Sequence, residues 1–156
     1  MSLIEARLAE LGSPLPEVAK PVAAYVPSMV SGNLVFTAGQ LPFVNGALPV
    51  AGKVGETIGL VDPATAKTLA RQAALNALAA VKLAIGDLDR VTRIVKVVGF
   101  VSSVPEFSGQ PGVINGASEF LVEVFGDRGI HARSAVGVAV LPLDSAVEVE
   151  LIAEFE

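Results

Sequence analysis

The chain has 156 residues, 52% apolar and 17% charged, with a net charge of −5, one histidine and no cysteine. That length suits one domain with a real core, and an acidic balance with no Lys/Arg cluster disfavours a nucleic-acid backbone as partner. Without cysteine there is neither disulfide nor thiolate chemistry, one histidine leaves no transition-metal ligand set, and no apolar run reaches the ~20 residues of a membrane-spanning helix.

Residues 1–17 read as an N-terminal helical extension, with Leu3, Ile4, Leu8 and Leu11 on one face and Gly12 placed to end the helix. Glu5, Arg7 and Glu10 interrupt that segment, so it does not read as a signal peptide, and a cytoplasmic location is expected. Prolines 14, 16, 21 and 27 then favour extended chain. Gly32-Asn33 reads as a hairpin turn before a buried strand over residues 34–38, which Gly39-Gln40-Leu41-Pro42 breaks. Glycine and proline make residues 41–60 a loop or irregular hairpin.

Asp62-Pro63 is a strong helix start, and that helix runs to about Ile85 and ends at Gly86. A Val-rich strand covers residues 91–104, a loop 105–112 and a second long helix about 113–125. Residues 134–141 form a strand, and Pro142-Leu143-Asp144 turns the chain. In the last strand, residues 146–155, Val147, Val149, Leu151, Ala153 and Phe155 point one way, and Glu148, Glu150, Ile152 and Glu154 the other. The order predicts one α+β domain, residues 18–156, with two helices on one face of a mixed sheet. The charged fraction is well below the ~25% of an average soluble domain. Apolar surface is therefore left over, and burial between identical copies is the expected outcome.

Few residues are candidates for chemistry. No GxGxxG or GxxxxGK[ST] is present, so no nucleotide cofactor is expected, and no metal either. Arg133 stands in a nearly uncharged stretch, with Asp144 the next charge beyond it. Its planar fork suits a carboxylate, but an arginine there reads more readily as an internal ion-pair partner. Ser134 has only His131 as a nearby base, and three residues of separation is weak evidence for a catalytic pair. If the last two strands formed a hairpin, Arg133 would lie roughly opposite Phe155. Arg133 and Glu148 would then meet across a subunit boundary or through another strand.

Four collinear pieces resemble the RidA/YjgF family. Gly32-Asn33-Leu34-Val35-Phe36-Thr37-Ala38-Gly39-Gln40-Leu41-Pro42 is similar to its glycine-glutamine signature. Ala70-Arg71-Gln72 with Asn76 resembles its first long helix, and Ile94-Val95-Lys96 with Gly99-Phe100-Val101 its central strand. Ala132-Arg133-Ser134, Leu141-Pro142 and Val147-Glu148-Val149-Glu150 resemble its closing segment. The resemblance implies a chorismate-mutase-like fold, a homotrimer, and ligand sites in the clefts between subunits. It also implies hydrolysis of reactive 2-imino or enamine acids to 2-keto acids and ammonia without a cofactor. Arg133 would bind the substrate carboxylate and Glu148 would hold or activate water. Tyr25, Ala38, Gly39, Asn115 and Ala135 would line the pocket, with His131 at its rim.

Ala38 stands where many deaminases of the family carry Ser, Ala135 where they carry Cys, and His131 where proline is usual. Together with the extra loop at 108–112 and the N-terminal helix, these departures resemble a longer-chain branch. Two polar groups thus become methyls while the carboxylate anchor is kept. A non-catalytic binder or sensor of small carboxylates is therefore the main alternative. The family's endoribonuclease label gives a third reading, which the acidic composition disfavours.

Overall fold

A computed structural model describes residues 2–21 and 24–156. Helix α1 (Leu3–Glu10) is followed by strands β1 (Ser28–Ser31) and β2 (Leu34–Thr37) and the long helix α2 (Pro63–Ile85). Then come β3 (Val91–Ser102), α3 (Gln110–Phe125), β4 (Ala132–Val138) and β5 (Val147–Phe155). The five strands form one sheet in the order β1-β2-β5-β3-β4. β3 and β4 are parallel and every other pair is antiparallel. The architecture is the α+β, chorismate-mutase-like one expected from the sequence.

The helix signals act as read. Asp62 accepts the Thr65 N–H at 2.9 Å, Pro63 takes a first-turn position that needs no N–H, and Gly86 ends α2 at φ 85°. α2 and α3 pack on each other and on one face of the sheet. There Val35, Val97, Val101, Val147, Val149, Leu151 and Ala153 are buried. The helices meet closely at Gly116, where an added Cβ would overlap the Lys67 carbonyl oxygen. Gly116→Ala is therefore expected to destabilise the fold by about 1–3 kcal/mol. Urea denaturation reads this, and an unchanged midpoint would contradict the close helix contact.

The opposite face of the sheet is uncovered. Register places Met29, Phe36, Ile152 and Lys96 in one row across it. Val98 with Glu150, and Phe100 with Glu148 and Val136, form further rows. Met29 and Val136 are 60% and 45% exposed, so this mixed apolar face has no cover among the described residues.

Several expectations need correcting. β4 and β5 are not a hairpin: β3 lies between them, and β4 runs parallel to β3. The connection crosses the end of β3, with Ser103 N–H donating to Val138 and Ser102 N–H to Ala146. Leu143 and Asp144 adopt left-handed φ values of 59° and 55° to make that crossing. β5 is thus an interior strand, and its glutamates are half-buried. β4 begins at Ala132, which puts Arg133 inside the strand and not at its mouth. α3 starts at Gln110 because Pro111 fits a first helical turn. In α1, Ile4 and Leu8 are buried but Leu3 is 81% exposed. The Leu3 and Ile4 N–H groups donate to the Asp89 carboxylate, both at 2.8 Å, and this cap fixes the helix to the turn before β3.

Candidate functional site

The parallel β3–β4 register sets Arg133 beside Val97 and Ala135 beside Gly99, on the face that α3 covers. Arg133 therefore projects at the edge of the sheet toward α3. Its Nη1 donates to Asn115 Oδ1 at 2.7 Å and to Ser118 Oγ at 3.3 Å. Among the described residues, its Nε and Nη2 have no partner. Ser118 Oγ is also 2.9 Å from His131 Nε2, and His131 Nδ1 is 2.6 Å from the Gly129 carbonyl oxygen. A groove of about 600 Å³ lies over this cluster, lined by Ser118, Glu119, Val122, Glu123, Ile130, His131 and Arg133. Glu119 and Glu123 are paired with Lys67 and Arg71 of α2 at 2.9 and 2.8 Å. Among the described residues Arg133 is thus the one groove-lining cation, and no salt bridge uses it.

Glu148 belongs to a second cluster. It pairs with Phe100 on the uncovered face, two strands from β4, or roughly 10 Å at the usual strand spacing. Its carboxylate lies against Gly39, where any Cβ would overlap Oε1. Gln40 and Val149 hold that segment to β5 by reciprocal N–H···O bonds of 2.8 and 3.0 Å, and the Ala38 N–H donates to Pro27. The glycine that ends β2 is therefore the close-approach position that the sequence indicated. Burial, and then the neighbouring Glu150, push the Glu148 carboxyl above the ordinary glutamate range. Among the described residues it accepts no hydrogen bond, which leaves its oxygens open to water or ligand.

One chain therefore brings Arg133, Asn115, His131 and Ala135 to one side of the sheet. Glu148, Gly39 and Ala38 gather on the other. Tyr25, 52% exposed before β1, touches neither cluster by hydrogen bond among the described residues. Ser134 faces away from His131 and accepts from Lys96 Nζ at 3.1 Å, which removes it as a partner for the imidazole. Ser118 takes that place and was missed. Its signal was helical spacing: Asn115, Ser118 and Val122 share one face of α3.

Among the described residues no group of three or more His, Cys, Asp or Glu side chains could hold a metal ion. No helix among them is long and apolar enough to cross a membrane.

Comparison with known proteins covers nearly the whole chain. The sequence model of the family described as "YjgF/chorismate_mutase-like, putative endoribonuclease" matches residues 5–155. Protein TCP17 of Trypanosoma cruzi is 41% identical over 97% of this chain and 93% of its own. The 2-iminobutanoate/2-iminopropanoate deaminase of Escherichia coli strain K12 is 34% identical, over 85% of this chain and 88% of its own. Among solved structures, Atu1372 of Agrobacterium tumefaciens superposes with a TM-score of 0.89 at 47% identity, covering 98% of this chain and 92% of that one. E. coli TdcF with bound serine gives 0.65 at 25% identity, covering 90% and 94%. With sheet order, glycine contact and arginine strand all in place, the chain belongs to the YjgF/chorismate-mutase-like family, the RidA/YjgF family of its sequence motifs.

Proposed function

We propose that the protein hydrolyses small 2-imino acids, or the enamines in equilibrium with them, to 2-keto acids and ammonia. The site lies in clefts of a homotrimer, where Arg133 of one copy faces Glu148 of another. One observation carries this reading: Arg133 lines the groove, is held through Nη1, and among the described residues keeps Nε and Nη2 unpartnered with no other cation in the lining. Such an edge fits a carboxylate with two parallel hydrogen bonds. The opposed faces support this assembly: Arg133 and Glu148 of one chain lie on opposite sides of the sheet, and a neighbouring copy would bring the two together.

In this site the carboxylate of the imino acid binds Arg133, and Asn115 contributes by holding the guanidinium. Glu148 takes a proton from the water as it attacks the C=N carbon and passes it to the nitrogen. The hydroxyl proton of the resulting carbinolamine is then relayed by Glu148 to the same nitrogen, and the adduct expels ammonia as the C=O forms, leaving the 2-keto acid. Gly39 and Ala135 admit the ligand to the backbone, and Tyr25 and Ala38 wall the pocket. The E. coli relative named as an iminobutanoate deaminase supports this choice of substrate.

Ala38 and Ala135 favour one second reading, a carboxylate binder without turnover. RNA cleavage gains no support from a groove holding one cation and two carboxylates. The test is keto-acid release from 2-iminobutanoate generated in place by an amino-acid oxidase, with sedimentation alongside. Release well above the spontaneous rate and a particle near 48 kDa, against 16.0 kDa for one chain, are expected. Release at the spontaneous rate with ligand still bound gives the binder reading.

A further inference from the structure

Arg133 is reached by a chain of hydrogen bonds that carboxylate binding alone does not require. The Gly129 carbonyl can only accept, so at 2.6 Å the His131 Nδ1 must carry the ring proton. In the neutral ring Nε2 is then an acceptor, and the Ser118 hydroxyl 2.9 Å away donates to it. With its proton committed there, Ser118 Oγ keeps its lone pairs for Arg133 Nη1 at 3.3 Å. Remove the imidazole acceptor and the hydroxyl rotor loses the bond that fixes it, leaving only the guanidinium's own field to hold its lone pairs toward Nη1. Asn115 would then be the one fixed partner of Nη1, and the guanidinium plane could swing about that single bond.

The polarity of this chain suits neutral pH. Burial first, and then the charge of Arg133, holds the imidazole below the ordinary histidine range, against the opposing pull of the Gly129 bond. The other charged groups lining the groove, Glu119 and Glu123 on α3, are occupied by Lys67 and Arg71 of α2. His131 and Ser118 sit half-buried on separate elements, the chain before β4 and the middle of α3, and Arg133 is where they converge.

We propose that Ser118 and His131 form a hydrogen-bonded relay that fixes the plane of the Arg133 guanidinium and so presents its free edge to the ligand carboxylate. His131 is thus a positioning residue, acting through Ser118 rather than on the ligand. This rests on the reading of Arg133 as the carboxylate anchor.

The test is calorimetric titration of the full-length protein with 2-ketobutyrate near neutral pH, with thermal melting of every variant as a folding control. Ser118→Ala and His131→Leu are each expected to weaken binding about three- to tenfold, the range of one ordinary hydrogen bond. His131→Gln, which restores an acceptor at the Nε2 position, is expected to recover most of that loss. The Ser118→Ala/His131→Leu double variant is expected to bind no worse than either single one, because both cut the same chain. If His131→Leu does not fold, Ser118→Ala and His131→Gln still give the comparison. Wild-type affinity in Ser118→Ala, additive losses in the double variant, or a His131→Gln as weak as His131→Leu would each overturn the relay. If Arg133→Ala binds like the wild type, the anchor reading falls as well; if it alone loses binding, the anchor stands and the relay falls.

Discussion

Arg133→Ala is expected to weaken 2-ketobutyrate binding by about two orders of magnitude and to reduce imine turnover at least as much. Two charge-assisted hydrogen bonds are lost together, and the ligand carboxylate enters a groove whose remaining ionised side chains are the paired Glu119 and Glu123. A loss of about 3 kcal/mol is the expected scale. Arg133→Lys should recover only part of it, because a single ammonium cannot match a planar fork and would leave Asn115 and Ser118 without their shared partner. Titration calorimetry gives the comparison. Affinity within twofold of wild type would mean that Arg133 is a structural residue, as its sequence context alone favoured.

Glu148→Gln is expected to leave that affinity within a few-fold while lowering turnover by about 10²- to 10⁴-fold. The amide keeps the shape against Gly39 but cannot take a proton from water. The pH profile gives a second reading of the same group. Only ionised Glu148 is a base, so the rate should rise with pH through its titration and fall below it. Burial and Glu150 push that titration up, so the acid limb should lie above the ordinary glutamate range. Glu150→Gln removes the like charge and should shift the limb downward. An unaltered rate in Glu148→Gln, with a flat profile in that range, would remove the residue from the chemistry.

These effects concern two residues that the sequence picked out for unequal reasons. The strands and helices were legible wherever local chemistry decides them: Asp62-Pro63 and Gly86 bound α2, and strict alternation marks the two faces of β5. Strand order was not legible. A short turn at residues 142–144 reads as a hairpin, yet the pairing is settled by β3, a long apolar strand that accepts partners on both sides. That pairing also makes β5 an interior strand with half-buried glutamates. Gly39 was legible as a place of close approach, although the identity of the approaching group, Glu148, depends on the β2–β5 pairing. His131 was visible as a lone histidine, but Ser118 lies 13 residues earlier, and only the return of β4 along α3 joins them. The separation of Arg133 from Glu148 across the sheet is likewise a tertiary fact, set by the placement of β3 between β4 and β5.

The most direct measurement is a crystal structure of the protein soaked with 2-ketobutyrate. The ligand carboxylate is expected on the Nε–Nη2 edge of Arg133, with Glu148 of a neighbouring copy within hydrogen-bond reach of a water beside the carbonyl carbon. A ligand bound away from Arg133, or a cleft in which no copy brings Glu148 within about one water's reach of it, would contradict the shared site.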